Sequence, residues 1–300
     1  MSAAAQARTT WFERFAGSIR ALMRVLRIIV RDPGLAFAVG LILLLGLIAV
    51  LGPVVWNKDP LEIDIGNILA PPSASSPMGT DDVGRDVFAR FNQGARISLA
   101  VGAAVVVIAG TVGVLIGIAA GVFGRWVDAA LMRMVDALLA FPALVLAMAV
   151  TVGLGIGLKT ATVGIILPSI PFYARLMRSE VIQVRSAVYV EAAAALGAKR
   201  GRIIARHVFP NAMTSVPILA AANFGFAILT MAALGFVGLG AQVPTPEWGT
   251  MITEGQQYIV TGGWWVSLFP GIGVLLAVVA GSLLADRARD MVDPRRERDI

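Results

Sequence analysis

The chain has 300 residues, of which 57% are hydrophobic and only 15% charged, with a formal net charge of +6 and a mean hydropathy of +0.80. A soluble domain carries about 25% charged residues, so this composition excludes a globule that faces water on all sides. Zero cysteines and one histidine also exclude a disulfide framework, a zinc ribbon, an iron-sulfur cluster, haem attachment and a thiol nucleophile.

The apolar residues come in blocks. No charged side chain occurs from Gly34 to Asn57, Ile97 to Gly124, Ala137 to Leu158, Thr160 to Ala174, His207 to Pro246 or Gly255 to Ala285. About 20 mainly apolar residues cross a bilayer. The blocks therefore predict an all-α polytopic membrane protein with about six transmembrane helices, at 35–55, 98–122, 135–156, 160–177, 214–238 and 266–285. Residues 1–34, with Arg14, Arg20, Arg24, Arg27 and Arg31, are too long a basic flank for a cleaved signal, so 35–55 reads as a retained first helix. An outer segment, 56–97, follows, with the turn-rich Pro71-Pro-Ser-Ala-Ser-Ser-Pro77. Residues 98–285 form a core of five helices. In it, 160–177 has the poorest apolar pattern, with Pro168, Pro171 and Arg175. The longest inner loop is 178–213, and 286–300 is a C-terminal tail.

Lys and Arg alternate across this plan. With the N-terminus inside, 20 of the 25 fall in inner segments and 5 in outer ones. That asymmetry places both termini in the cytoplasm. It also accounts for the basic charge through anionic lipid, with no nucleic acid.

Several sites are excluded along the way. Gly153-Leu-Gly-Ile-Gly-Leu-Lys-Thr160 imitates a phosphate loop, but Leu158 separates the last glycine from the lysine, so the stretch reads as a turn between spans. His207 has no carboxylate near it in sequence, which removes a serine triad. Asp128 and Asp136 are expected to pair with Arg125 and Arg133 on one helix. No catalytic, cofactor-binding or metal-binding residue emerges. No span carries a carboxylate at its centre, which weakens proton-driven secondary transport, although a secondary transporter or channel remains the alternative.

Three features of the spans and outer loops stand out. Gly113, Gly117 and Gly121 repeat on one helix face and predict close helix packing. Asn223, an amide at bilayer depth, needs either a neighbouring helix or a polar pathway. Residues 244–261 hold Glu247, Trp248, Glu254, Gln256 and Gln257 but no cation, and are read either as an external mouth or docking surface, or as an ordinary solvated loop. Trp264 and Trp265 would anchor the adjacent interface.

The inner loop contains Tyr189-Val-Glu-Ala-Ala-Ala-Ala-Leu-Gly-Ala-Lys-Arg-Gly-Arg-Ile-Ile-Ala-Arg-His-Val-Phe-Pro-Asn211. Glu191 suits the first turn of a helix and Gly197 can end it in the left-handed conformation. The expected shape is a short helix, a turn, and a second basic helix ending near Pro210. Small side chains on an exposed helix suit insertion into a partner's groove.

This loop resembles that of the membrane-spanning permeases of ATP-binding cassette (ABC) importers, through Glu191, Ala192, Ala193 and Gly197 followed by His207-Val-Phe-Pro210. Met78-Gly-Thr-Asp-Asp-Val-Gly-Arg-Asp-Val87, Gly94-Ala-Arg-Ile-Ser-Leu99, Pro244-Thr-Pro-Glu-Trp-Gly249, Leu268-Phe-Pro-Gly271 and Arg289-Asp-Met-Val-Asp-Pro-Arg295 resemble the dipeptide, oligopeptide and nickel branch, second permease subunit. The resemblance implies a type I ABC importer permease fold in a bacterial inner membrane. It implies as partners a second homologous permease, two cytoplasmic ATPases that carry the ATP and Mg, an extracytoplasmic solute-binding protein, and membrane lipid. Glu191, Ala192, Ala193 and Gly197 would form the coupling element, and the solute would be a peptide, a nickel chelate, glutathione or an opine.

Overall fold

The structure is a computed structural model that describes residues 30–292. Residues 1–29 and 293–300, which include most of the predicted N-terminal segment and the end of the C-terminal tail with Asp293 to Arg295, lie outside the described residues. Among the described residues there is no strand, only an isolated antiparallel bridge between Thr80 and Asp86.

Helix α1, Pro33–Val55, starts where proline can start a helix, at a position whose N–H would have no partner. The Asp32 carboxylate caps it by accepting from the Gly34 and Leu35 amides at 2.9 and 3.1 Å. Helix α2, Val87–Phe123, has 37 residues and is about 55 Å long at the α-helical rise. A bilayer core is only about 30 Å thick, so several turns of α2 must project beyond it. Its first turns carry Arg90, Asn92, Gln93 and Arg96, and they are the projecting part. The predicted second span, 98–122, is thus the apolar portion of a longer rod.

The predicted third span, 135–156, is not one helix. Helix α3, Arg125–Leu139, and α4, Ala143–Leu154, meet at an angle of 89°. The break falls at Ala140-Phe141-Pro142, where proline lacks an amide donor and restricts the residue before it. By contrast, α5, Leu158–Arg185, runs unbroken through Pro168 and Pro171, both buried in the bundle. A helix survives a proline when neighbours hold it on all sides.

A short exposed helix, α6, Val188–Ala195, precedes the long α7, Arg200–Phe236. The second basic helix was expected to end near Pro210. It continues instead, because a π-turn at Ile204–Val208 and a 3-10 turn at Met213–Ser215 shift the hydrogen-bond register around the proline. Helix α8, Trp248–Gln256, and α9, Trp265–Val292, complete the chain. Among the described residues five helices are long and apolar enough to cross a membrane, or six if α3 and α4 count as one bent span.

Antiparallel packing gives the bundle two ends. Gly34 of α1 lies against Arg287 of α9, and the α2 terminus at Val122 lies against Arg200. These residues mark a basic end. Asn92 of α2 lies against Gly52 of α1, and the segments around Thr80 and Trp265 meet at the opposite, loop end. The Gly113, Gly117 and Gly121 face packs as expected. A Cβ at these positions would stand 2.5 Å from Tyr173 Cβ, 2.6 Å from the Ala174 carbonyl and 2.5 Å from Val181 Cγ1. Leu43, Leu47, Val107, Leu115, Leu229 and Leu275 remain exposed around the bundle, as lipid contact requires.

Candidate functional site: a coupling element and a buried ion-pair knot

The predicted coupling residues fall together at the basic end. Helix α6 carries Glu191 in its first turn, with Ala192 and Ala193 beside it. Its C-terminus closes as a left-handed cap. Gly197 has φ of +83°, its amide donates to the Ala194 carbonyl at 3.0 Å, and the Ala198 amide donates to the Ala193 carbonyl at 3.1 Å. None of the described residues comes within 4 Å of where a Gly197 Cβ would be. The helix buries only Val190, while Val188 is 81% and Leu196 89% exposed. Two arginines that sequence reasoning did not single out, Arg185 and Arg200, flank this segment and reach the terminal carbonyls of α2.

Nearby, Asp128 and Asp136 do not pair within their own helix. Arg178 Nη2 donates to Asp128 Oδ2 at 2.6 Å and Arg175 Nη2 to Asp136 Oδ1 at 2.6 Å. The expected i, i+3 partners, Arg125 and Arg133, lose to cross-helix ones because α3 lies against α5.

Glu247, Trp248 and Glu254 do not form an exposed mouth or docking surface, nor a solvated loop. The loop from Pro244 folds inward and places Glu247 and Trp248 among the most buried side chains. Trp248 stacks on Phe91 with ring centroids 5.5 Å apart, and its Nε1 donates to the Phe91 carbonyl at 3.2 Å. Its socket is made by Gly94 and Gly273, where a Cβ would lie 2.9 and 2.8 Å from the indole. Glu247 caps α8 by accepting from the Thr250 amide at 3.1 Å and accepts from Ser98 Oγ at 2.9 Å. Burial pushes its carboxyl above the ordinary carboxylate range, and the hydrogen bonds from Gly249, Ser98 and Thr250 oppose that rise.

Glu254 belongs to an ion-pair knot. It lies 2.5 Å from Arg90 Nη2 and 3.7 Å from Arg85 Nη2. Asp81 Oδ2 lies 2.6 Å from Arg85 Nε and 3.5 Å from Arg90 Nε, and Asp82 lies 3.6 Å from Arg85. Burial pushes the Glu254 carboxyl up, while the guanidiniums of Arg90 and Arg85 pull it back. The knot ties the turn before α2 to α8. That turn is held by two obligatory glycines. Gly79 has φ of +72° and Gly84 has φ of +83°, and a Cβ on Gly84 would stand 1.8 Å from the Asp64 carbonyl. Asp81 and Arg85 belong to the Met78–Val87 motif, and Arg90 lies just beyond it. Two arginines at the threshold of an apolar helix were the signal that they needed buried partners.

Trp264 and Trp265 divide their roles. Trp265 is buried and its Nε1 donates to the Thr80 carbonyl at 3.0 Å, whereas Trp264 stays half exposed. Asn223 is buried in α7, and its Oδ1 has no protein partner among the described residues. The structure does not bring it near α6 or the knot.

Residues 113–298 match the family described as the binding-protein-dependent transport system inner membrane component. The chain is 43% identical over 259 residues to the dipeptide transport system permease protein of Alkalihalophilus pseudofirmus, covering 86% of this chain and 85% of that one. It is 38% identical over 224 residues to a glutathione transport system permease protein of Pectobacterium atrosepticum, covering 75% and 74%. The fold is similar to that of a chain in inward-facing structures of the MetNI methionine ABC transporter, with a TM-score of 0.53 at 21% identity, over 67% of this chain and 95% of that chain. The apolar bundle, the motifs along its length and these relatives place the chain in the family of binding-protein-dependent transport system inner membrane components, as an ABC importer permease subunit of the dipeptide, oligopeptide and nickel branch.

Proposed function

We propose that the chain forms half of the translocation pathway of an importer for peptides or a similar small solute, driven by ATPases that dock on α6. The observation that carries this reading is the coupling element. A short helix at the basic end, left uncovered by the described residues, displays Val188 and Leu196 beside Glu191 and a side-chain-free Gly197. Helix-in-groove docking uses such anchors.

In this reading the second half of the pathway is a homologous permease, and an extracytoplasmic binding protein delivers the solute to the loop end. Two cytoplasmic ATPases hydrolyse ATP with Mg, and this chain carries no catalytic or cofactor site. The termini and α6 are cytoplasmic, in keeping with the crowding of arginines at the basic end. The peptide class follows the relatives, named for dipeptide and glutathione transport. Residues 35–55 and the core 98–285 belong to the membrane, and 56–97 to the outer side. Asn223, buried with a free amide oxygen, faces the pathway when the halves separate. Closure of the ATPases would move α6 as a rigid lever on the bundle.

The test is uptake in proteoliposomes holding this chain, its partner permease, the ATPases and the loaded binding protein. Peptide uptake should need ATP and every component. Uptake by this chain without ATPases, driven by an ion gradient or by diffusion, would favour a secondary transporter or channel.

A further inference from the structure

Arg185 is the last residue of α5 and Arg200 the first of α7, so the two bracket the whole coupling segment in sequence. In space they converge. Arg185 Nη1 donates to the Gly121 carbonyl and, at 3.4 Å, to that of Val122, while Arg200 Nη2 donates to the Val122 carbonyl. These carbonyls belong to the last turn of α2, which Gly124 terminates with φ of +99°. Carbonyls there have no amide of their own helix to accept from, and they carry the negative end of the helix dipole. Two guanidiniums are the groups best suited to them.

The packing of α6 itself is loose. Behind it lies a cavity of about 370 Å³ lined by Val122, Val190, Glu191, Ile203 and Val208. With only Val190 buried, the helix is held at its two ends more than along its face. Helix α2, in turn, is packed on α5 without room for a methyl group at Gly113, Gly117 or Gly121. At its far end Arg96 Nη2 donates to the Val50 carbonyl of α1 at 3.0 Å, and Arg90 holds Glu254 of α8.

We propose that Arg185 and Arg200 are positioning residues that lock the coupling segment to the end of α2, so that a displacement of α6 moves α2 together with α5 and reaches the loop end. The covalent chain joins α6 to α5 and α7 alone. The arginines add α2, whose loop-end contacts include α1 and α8. The relay rests on the reading of α6 as the ATPase-docking element, whereas the clamp itself does not.

Spin labels at Val107 and Leu196, both exposed, report the clamp in the purified chain, and the absence of native cysteine keeps the labelling clean. The unsubstituted arginines should give one narrow distance distribution and the Arg185→Ala, Arg200→Ala pair a broadened one. In the full transporter the pair should still co-purify with the ATPases, yet transport about tenfold less solute per ATP hydrolysed. Lysine at both positions should restore much of that loss, because an ammonium also donates to a carbonyl. An unchanged distance distribution in the double alanine variant overturns the clamp, and wild-type transport per ATP overturns the relay. Loss of ATPase co-purification with an unchanged distribution also overturns the proposal, since the arginines would then only shape the docking surface. If the double variant fails to accumulate, Arg200→Ala alone carries both measurements with the same outcomes. Failure of the wild-type chain to bind any ATPase would sink the function reading, while the label distances still decide the clamp.

Discussion

Arg90 and Glu254 are 164 residues apart in sequence and touch at 2.5 Å, joining the first turns of α2 to α8 at the loop end. Arg90 is 1% exposed, and with Arg85 it neutralises two of the three carboxylates of Asp81, Asp82 and Glu254. Removing one partner of a buried pair leaves an uncompensated charge, which costs about 3–5 kcal/mol. Arg90→Ala should therefore lower the melting temperature of the detergent-purified chain far more than Glu254→Gln. The glutamine leaves two carboxylates facing two arginines. Equal melting temperatures for the two variants would show that the knot contributes no charge balance.

Glu247 gives the loop end a pH dependence. Its native carboxyl titrates above its unfolded value, so the native state binds the proton more tightly. The unfolded state then has fewer protons across the window between the two values, and stability falls as pH rises through it. Below the unfolded value the penalty is absent. Glu247→Gln keeps an oxygen acceptor for the Thr250 amide and removes the titrating group. Its melting temperature relative to wild type should rise as the pH is raised above the ordinary carboxylate value. A difference that stays flat or falls with pH contradicts the assignment. Glu247→Lys should unfold the corner by placing a cation where Ser98 and Thr250 donate.

Gly117→Ala should destabilise the bundle by about 1–3 kcal/mol, since the added carbon would meet the Ala174 carbonyl at 2.6 Å across the α2 and α5 contact. Gly40→Ala is the control. It sits exposed in α1 with nothing within 4 Å, and should be neutral or gain up to about 1 kcal/mol. Thermal melting of the two variants in one detergent compares them directly, and equal shifts would remove the packing role of the stripe.

The existence of most helices was legible because apolar blocks of bilayer length have few alternatives. The short helix of the inner loop was legible as well, because Glu191 and Gly197 mark the start and stop of α6 by local chemistry alone. What sequence could not give was tertiary. The bend at Pro142 and the continuity through Pro168, Pro171 and Pro210 depend on what surrounds each proline. Glu247, Trp248 and Glu254 sit in a polar stretch that looks solvated until Gly94, Gly273, Ser98 and Arg90 are brought around it. Asp128 and Asp136 had adjacent arginines in sequence, yet packing handed them to Arg178 and Arg175.

Orientation can be read with single cysteines, since Ser75, Ser186 and Thr261 are all exposed. In intact cells an impermeant thiol reagent should label cysteine at Ser75 and Thr261, at the loop end, and spare Ser186 beside α6. The reverse pattern would invert the proposed topology and place the coupling helix where no cytoplasmic ATPase can reach it.

The central claim is that α6 and its Gly197 cap serve a partner and not the fold of this chain. Replacing Gly197 costs about 1 kcal/mol of left-handed strain for a residue with a Cβ. Nothing among the described residues would clash with it. ATP-driven uptake by Gly197→Asp, measured at matched membrane abundance with all partners present, is the most direct test. The account predicts normal insertion with uptake abolished, and a weaker loss for Glu191→Lys, which reverses a charge but leaves the cap intact. Wild-type uptake by Gly197→Asp at equal abundance would contradict it.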